Sequence, residues 1–252
     1  MTPSTSLAAD VRLEELTVAL QPVLDLRTGR VHGFEALLRG PAGSDVNPPA
    51  LFRRARRERW FGELECRARS LAFEAAERFL QGEEILFLNG DVRIPVATDR
   101  YPHVVLEVNE AQDVSHAQVE KITRNGLKIY LDDYGVSHGN LSRIIDISPY
   151  GIKVDRSLVR GIAHDSRRFA IAHALANLAN DLELELVAEG IETGEDLVAI
   201  RRAGFTLGQG YYLGRPQQRP DREELAQVAR LLSNMVIERV TSARLRLFAV
   251  TR

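Results

Sequence analysis

The sequence is poor in cysteine: Cys66 is the only one among 252 residues, so the chain can form no internal disulfide. A chain of this kind suits a reducing compartment, and we therefore expect a cytoplasmic location. Histidines are also few, six in all, and no two of them stand in an H-x-H or H-x-x-x-H pair. This scarcity argues against a zinc site of the usual histidine and cysteine type.

Large charge excess and long apolar runs are absent as well. The formal net charge is −2, which argues against a general binder of polymeric nucleic acid or membrane surfaces. No apolar run approaches the roughly 20 residues that span a bilayer. Residues 1–16 lack a basic start followed by an apolar core, so we do not expect them to act as a secretion signal.

Short strand-like runs alternate with helix-like segments along the chain, and 44% of the residues are hydrophobic. Several of these runs are almost continuously apolar, which is typical of parallel strands buried on both faces. About eight strands interleaved with helices over roughly 250 residues is the size and pattern of a (β/α)8 barrel. The predicted strands span residues 16–26, 31–39, 85–90, 104–110, 127–133, 150–155, 184–191 and 207–213.

The first two predicted strands are separated only by the segment RTGR (27–30). Parallel neighbours need a crossover of about a dozen residues, so this pair should form an antiparallel hairpin. The sequence thus predicts an α/β fold, a TIM-like (β/α)8 barrel whose first strand is antiparallel to the rest. No linker, repeat or low-complexity tract divides the chain, and we predict a single domain over residues 1–252 in which 221–252 forms a closing C-terminal helix.

Helical periodicity fills the intervals between the predicted strands. Residues 51–80 carry apolar residues at helical spacings, and 193–204 begins and ends with capping residues. Asp155, followed by Arg156 and Ser157, is interpreted as a helix cap. The segment 166–182 carries an apolar stripe that should face the core, formed by Ile171, Leu175, Leu178 and Leu182.

Polar side chains cluster at the carboxyl ends of the predicted strands, which share one rim in a parallel barrel. Many carboxylates converging on one mouth cannot all remain ionised without cations among them. Carboxylate and amide oxygens suit Mg²⁺ or Mn²⁺, and two such ions about 4 Å apart can clamp a phosphoester displacement. The residues are Glu35, Arg39, Asn89, Glu107, Glu110, Asp132, Asp133, Lys153, Asp155, Glu189, Glu192 and Gln209; among them, Asp155 and Glu192 are interpreted as structural.

These residues stand in segments that resemble the EAL domain family, the cyclic di-GMP phosphodiesterases. The tripeptide Glu35-Ala36-Leu37 lies within QPVLDLRTGRVHGFEALLRG, and LFLNG, LEVNE, DDYG, IKVDRS, AEGIET and QGYYLGRP follow in the family's order and spacing, over about residues 15–216. The resemblance implies a barrel with a reversed first strand, which agrees with the hairpin. It also implies hydrolysis of cyclic di-GMP to the linear dinucleotide pGpG.

The resemblance further implies which residues bind metal. Glu35, Asn89, Glu107 and Asp132 would be ligands of a first ion. Asp132 would bridge to a second ion that Asp133 also binds. The expected cofactors are therefore two ions of Mg²⁺ or Mn²⁺.

Other residues receive catalytic and substrate-binding roles from the same resemblance. Lys153 would orient or help deprotonate the nucleophilic water, Glu189 would hold a water or the second metal, and Gln209 would position the water network. Gln21 and Arg39 would contact the dinucleotide, Arg39 through a phosphate.

One loop departs from the family pattern. The family usually reads Asp-Asp-Phe-Gly-Thr-Gly, whereas Tyr134, Val136 and Ser137 replace the phenylalanine, the threonine and the second glycine here. Asn109 stands where threonine is usual, before Glu110, which would brace this loop. Because the family's loop influences the second metal and the dimer contact, the departures bear on turnover and regulation of an expected homodimer.

Four functions are compatible with the sequence. The first is a metal-dependent cyclic di-GMP phosphodiesterase, and the second is a receptor that binds the nucleotide with little or no hydrolysis. The third is a scaffold that uses the barrel for protein contacts. The fourth, by fold analogy alone, is a two-carboxylate glycosidase, which would not explain Asn89, Lys153 and so many clustered acids.

Overall fold

The computed structural model describes residues 11–41, 43–44, 46–135 and 141–234. Within them, eight strands close into a barrel in sequence order. All eight predicted strands are therefore present. They are β1 (Thr17–Asp25), β2 (Val31–Arg39), β3 (Ile85–Asn89), β4 (Val104–Asn109), β5 (Lys128–Tyr134), β6 (Gly151–Val154), β7 (Glu185–Ala188) and β8 (Leu207–Gly208).

The first strand is reversed, as the short RTGR segment predicts. β1 pairs antiparallel with both β2 and β8, whereas the other neighbouring strands pair in parallel. The tight turn depends on Gly29, whose φ of 74° lies in the left-handed region that glycine adopts without strain. Because Thr17 pairs with Arg39, the amino end of β1 and the carboxyl end of β2 lie at the same rim.

Helices cover the outside of the barrel. They are α1 (Pro48–Glu58), α2 (Phe61–Phe79), α3 (His116–Thr123), α4 (Ser142–Ile147), α5 (Arg156–Val159), α6 (Ser166–Asp181) and α7 (Gly194–Ala203), and a further helix, α8, is described over 222–234. The helical pattern over 51–80 divides into two helices, α1 and α2, because Arg59 turns the chain in a left-handed conformation (φ 67°). This turn lets Leu51 of α1 and Leu64 of α2 pack in one apolar cluster.

The apolar stripe predicted for α6 is only partly correct. The buried residues are Ala172, Ala176 and Ala179, whereas Ile171 and Leu182 are exposed. Leu175 and Leu178 pack at the edge of the core. The small side chains face inward because α6 approaches α7 closely: a Cβ placed on Gly204 would lie 3.1 Å from the Ala176 Cβ.

The last strand is shorter than the predicted span 207–213, because pairing ends at Gly208. Beyond it, Gly210 lies so close to the backbone of Ile191 that a Cβ there would be 2.2 Å from the Ile191 carbonyl oxygen. This close approach turns the chain away from the sheet directly after Gln209 and leaves that residue at the rim.

Within the segment expected to form a C-terminal helix, the structure describes α8 over 222–234. In α8, Leu225 and Leu232 are buried, and the Ser233 hydroxyl donates to the Thr28 carbonyl at 3.2 Å, so α8 packs against the β1–β2 turn. Residues 235–252 lie outside the described residues, as does the loop segment with Val136 and Ser137. None of the described helices combines the length and the apolar character that crossing a bilayer requires.

Candidate active site

The carboxyl ends of β2 to β8 bring the predicted polar residues together at one mouth of the barrel. Asn89 links two of the acids, since its Nδ2 donates to Glu35 Oε1 at 2.8 Å and to Glu107 Oε2 at 2.9 Å. The parallel register places Asn89 beside Glu107 on neighbouring strands. Three residues that are far apart in sequence thus form one hydrogen-bonded group.

Lys153 is the centre of the acidic cluster. Its side chain is only 1% exposed, and its Nζ lies 2.6 Å from Glu107 Oε1 and 2.7 Å from Glu189 Oε1. The ammonium also lies 3.2 Å from Glu35 Oε2 and 3.4 Å from Asp132 Oδ1. One buried cation therefore faces four carboxyl groups, and the cluster would carry a net negative charge if all four were ionised.

The surroundings shift the pKa of Lys153 and of its neighbours. Burial by itself lowers the pKa of Lys153, but the carboxylates outweigh it and raise that pKa well above its ordinary value. Burial raises the pKa of Glu107 well above its ordinary value, raises that of Asp132, and brings the pKa of Glu189 to about 8. Glu35 differs: burial raises its pKa, yet Lys153 and hydrogen bonds from the amides of Gln209 and Asn89 lower it overall.

The two adjacent aspartates reach the mouth together because β5 is irregular. Successive side chains of a regular strand point to opposite faces, but the β5–β6 register shifts between Leu131 and Tyr134. Asp133 adopts a left-handed conformation (φ 55°), which is uncommon for a residue other than glycine. Burial, followed by the charges of Asp132 and Asp155, raises the pKa of Asp133 to about 6.

The donor set fits divalent cations that prefer oxygen ligands. One carboxylate oxygen from each of Asp132, Asp133 and Glu189 lies within 4.8 Å of the other two. Glu107 Oε1 and Asp132 Oδ1 are buried and accept no aligned hydrogen bond from the described residues. For Asn89 to be a ligand, its amide oxygen must take the place that its nitrogen has here. Four carboxylates around one ammonium leave an excess of negative charge when they are ionised, which a divalent cation would offset.

Gln209 and Gln21 lie beside Glu35 at the mouth of the barrel. Gln209 follows β8, and its Nε2 donates to Glu35 Oε2 at 2.6 Å and to Gln21 Oε1 at 3.0 Å. Gln21 Nε2 donates to the Gly214 carbonyl at 3.1 Å. The amide of Gln21, predicted to contact a dinucleotide, is thus engaged with the protein, although the residue lines the cavity beside the acids.

Two cavities open at this mouth. The first, of about 360 Å³, is polar and is lined by Asp132, Asp133 and Glu189 together with other charged residues. The second, of about 320 Å³, is mainly apolar and contains Arg39, whose Nη1 donates to the Leu38 carbonyl at 2.9 Å. Glu35 borders both cavities, whereas the structure places Arg39 in the second one only.

Glu110 lies behind the bulge rather than in either cavity. It is buried, and its Oε2 accepts a hydrogen bond from the backbone N–H of Gly135 at 3.3 Å. The backbone N–H of Glu110 donates to the Asp132 carbonyl at 3.0 Å. This position is compatible with the predicted bracing of the following loop, which itself lies outside the described residues.

Some residues of the first cavity were not selected as functional from the sequence. Asp155 is the helix cap that was expected, since its Oδ1 accepts from the Ser157 N–H at 2.7 Å, and it also lines the cavity. Arg156, Glu192 and Tyr211 line it too. The position of Asp155, two residues after Lys153 and directly after β6, was the available signal, whereas nothing in the pattern singled out Tyr211.

Comparison with known proteins gives consistent matches. The family model described as EAL domain matches residues 4–216. The bifunctional diguanylate cyclase/cyclic di-GMP phosphodiesterase MucR of Pseudomonas aeruginosa is 35% identical over 132 residues, which are 50% of this chain and 19% of MucR. The probable cyclic di-GMP phosphodiesterase PdeG of Escherichia coli is 28% identical over 241 residues, which are 85% of this chain and 47% of PdeG. The chain thus spans less than half the length of these curated relatives.

Solved structures show the same barrel. A calcium/cy-diGMP complex of Klebsiella pneumoniae BlrP1 is 28% identical, covers 83% of this chain and 58% of that one, and superposes with a TM-score of 0.73. A manganese/cy-diGMP complex of BlrP1 is also 28% identical and covers 81% of this chain and 56% of that one, with a TM-score of 0.71.

Proposed function

The chain belongs to the EAL domain family, and we propose on this basis that it is a metal-dependent phosphodiesterase that hydrolyses cyclic di-GMP to linear pGpG. The observation that carries the proposal is the cluster of carboxylates around the single buried ammonium of Lys153 at the barrel mouth. Relatives whose names give this activity, and BlrP1 complexes with cy-diGMP, support it.

The proposed cofactors are two ions of Mg²⁺ or Mn²⁺. The first would be held by Glu35, Asn89, Glu107 and Asp132, and the second by Asp132 and Asp133. When bound, the ions neutralise phosphate charge and activate a water for attack on phosphorus. The BlrP1 complexes with calcium and with manganese support a divalent cation in a related site.

The remaining residues orient the reactants. A protonated Lys153 has no lone pair with which to accept a proton, so its raised pKa favours an orienting role. Glu189, with a pKa of about 8 before a cation binds, is the better proton acceptor or the additional ligand. Gln209 holds Glu35 and Gln21 in place, and its Oε1 is buried without a hydrogen-bond partner among the described residues, where it can accept from a water.

The two cavities on either side of Glu35 suit the two chemical parts of a cyclic dinucleotide. We assign the polar cavity to the scissile phosphate and its ions, because Asp132, Asp133 and Glu189 line it. The apolar cavity, which contains Phe52, would take a base, and Arg39 at its edge would contact a phosphate once its guanidinium leaves the Leu38 carbonyl.

A receptor that binds cyclic di-GMP with little turnover is the second candidate. The altered loop after Asp133 favours it, because Val136 and Ser137 replace the threonine and the glycine that the family usually has there. A single domain over residues 1–252, a homodimer and a cytoplasmic location also stay predictions.

A product assay separates the two candidates. The purified chain is incubated with cyclic di-GMP in Mg²⁺ and in Mn²⁺, and pGpG is followed by chromatography. The enzyme gives pGpG with either ion, and the chelator EDTA stops it. Binding without pGpG supports the receptor. Absence of both binding and product rejects both and leaves the scaffold.

A matched pair of variants tests the site. Glu35→Gln keeps the shape of the side chain but removes its charge, and it should abolish cleavage. Glu63→Gln, an exposed position in α2, is the control and should cleave at the wild-type rate. An unchanged rate in Glu35→Gln would show that the chemistry takes place elsewhere.

A further inference from the structure

Asn109, the last residue of β4, has both ends of its side-chain amide engaged. Its Nδ2 donates to Asp133 Oδ2 at 2.5 Å, and its Oδ1 accepts from the backbone N–H of Ala111 at 3.0 Å. The two contacts fix which way the amide points, because a flip would set its oxygen against the carboxylate and its NH₂ group against an N–H. A donor is therefore aimed at Asp133 by the local turn of its own backbone.

The target of this donor is held in an unusual position. Asp133 lies in the bulge of β5 with a φ of 55°, a conformation that is uncommon for residues other than glycine. Glu110, the neighbour of Asn109, makes hydrogen bonds on both sides of the same bulge. Its backbone N–H donates to the Asp132 carbonyl at 3.0 Å, and its Oε2 accepts from the Gly135 N–H at 3.3 Å. The end of β4 thus fixes the backbone of the bulge, and only the Asn109 amide fixes the Asp133 carboxylate among the hydrogen bonds described.

We infer that Asn109 is a positioning residue, which immobilises the Asp133 carboxylate in the orientation that completes a cation site with Asp132 and Glu189. In this orientation one oxygen from each of the three carboxylates lies within 4.8 Å of the other two. The inference rests on the proposed function. It goes further by giving Asn109, which is outside the set of proposed ligands, a role in cation affinity.

The length of the side chain is the critical property. The amide nitrogen of Asn109 is two bonds from Cβ, whereas the hydroxyl of serine is one bond from it. A serine at this position can still accept from the Ala111 N–H, as serine does in turns of this kind. Its hydroxyl falls short of Asp133. Asn109→Ser therefore keeps the turn and removes the contact with the carboxylate.

The test is Mn²⁺ binding to the full chain without nucleotide, measured by calorimetry and by the electron paramagnetic resonance of free Mn²⁺. Asn109→Ser should weaken the class of Mn²⁺ site that Asp133→Ala removes, by about 10- to 100-fold, as loss of a hydrogen bond to a metal ligand does. Asn180→Ala, on the exposed side of α6, is the control and should bind Mn²⁺ as the wild type does.

A double-mutant comparison distinguishes positioning from a general effect on the fold. In the Asp133→Ala background, Asn109→Ser should change the affinity of the remaining Mn²⁺ binding by less than about twofold. Asn109 is proposed to act only through the Asp133 carboxylate, so its replacement has no effect once that carboxylate is absent. Equal Mn²⁺ affinity of wild type and Asn109→Ser, or a loss that persists without Asp133, overturns the inference while leaving the proposed function intact. A wild-type chain that binds no Mn²⁺ overturns both.

Discussion

Replacement of Lys153 by methionine should destabilise the metal-free protein strongly. The ammonium is buried and lies 2.6–3.4 Å from oxygens of four carboxylates. Removing one partner of a buried ion pair costs about 3–5 kcal/mol of the free energy of unfolding. Domains of ordinary stability unfold with about 5–15 kcal/mol, so the loss is a large fraction of the total.

The cost depends on pH and on divalent cations. With a pKa of about 8 for Glu189 and about 6 for Asp133 while Lys153 is present, acidic conditions protonate these groups and reduce the repulsion. Cations supply the missing positive charge directly. We therefore expect Lys153→Met to lose about 3–5 kcal/mol at pH 8 in EDTA, and clearly less at pH 5.5 or with saturating Mn²⁺.

Urea unfolding followed by circular dichroism measures these differences. Lys128→Met is the matched control, because Lys128 is exposed and its Nζ lies 3.6 Å from the centre of the Tyr150 ring, a contact worth about 0.5–1 kcal/mol. A Lys153→Met protein as stable as the wild type at pH 8 in EDTA would refute the reasoning. So would a loss that neither acid nor Mn²⁺ reduces. A variant that folds only in acid or with Mn²⁺ meets the expectation.

The wild type in EDTA should become less stable as pH rises from about 4 to 8, because Glu189 and Asp133 bind protons more tightly when folded than when unfolded; saturating Mn²⁺ should flatten this profile, and a metal-free profile that rises over the same range would contradict it. Gly210→Ala should lower the free energy of unfolding by about 3 kcal/mol, since its Cβ would be 2.2 Å from the carbonyl oxygen of Ile191. Gly62→Ala, where the new Cβ would meet no atom within 4 Å apart from the neighbouring backbone of its own helix, should change it by less than about 1 kcal/mol, and equal effects of the two variants in urea unfolding would reject the steric account.

The barrel could be predicted because its strands are short apolar runs and because RTGR is too short for a crossover. The break at Arg59 could not, since a left-handed arginine has no sequence signature and follows from how α1 and α2 share one apolar cluster. The face of α6 was partly misjudged for a related reason. Small side chains face inward on α6 because Ala176 packs closely against Gly204. A hydrophobicity pattern instead selects the larger apolar side chains for the inward face.

The candidate site was predictable as a set of residues but not as a set of contacts. Strand ends and the family resemblance predicted that Glu35, Glu107 and Asp132 converge, and the structure brings them around Lys153. The hydrogen bond from Asn109 to Asp133 depends on the bulge in β5, which two adjacent acids do not reveal. Sequence position reports which strand end carries a side chain, whereas local backbone dihedrals decide what it touches.

The direction of β1 determines from which side the chain enters the barrel. In a barrel with every strand parallel, the chain enters the first strand at the end opposite the carboxyl ends of the strands, but here Thr17 lies beside Arg39 at the same rim as the acidic cluster. Leu16, just ahead of β1, packs in one cluster with Leu38 of β2, only three residues beyond Glu35. The segment that leads into β1 therefore packs against the strand that carries Glu35, the acid that borders both cavities.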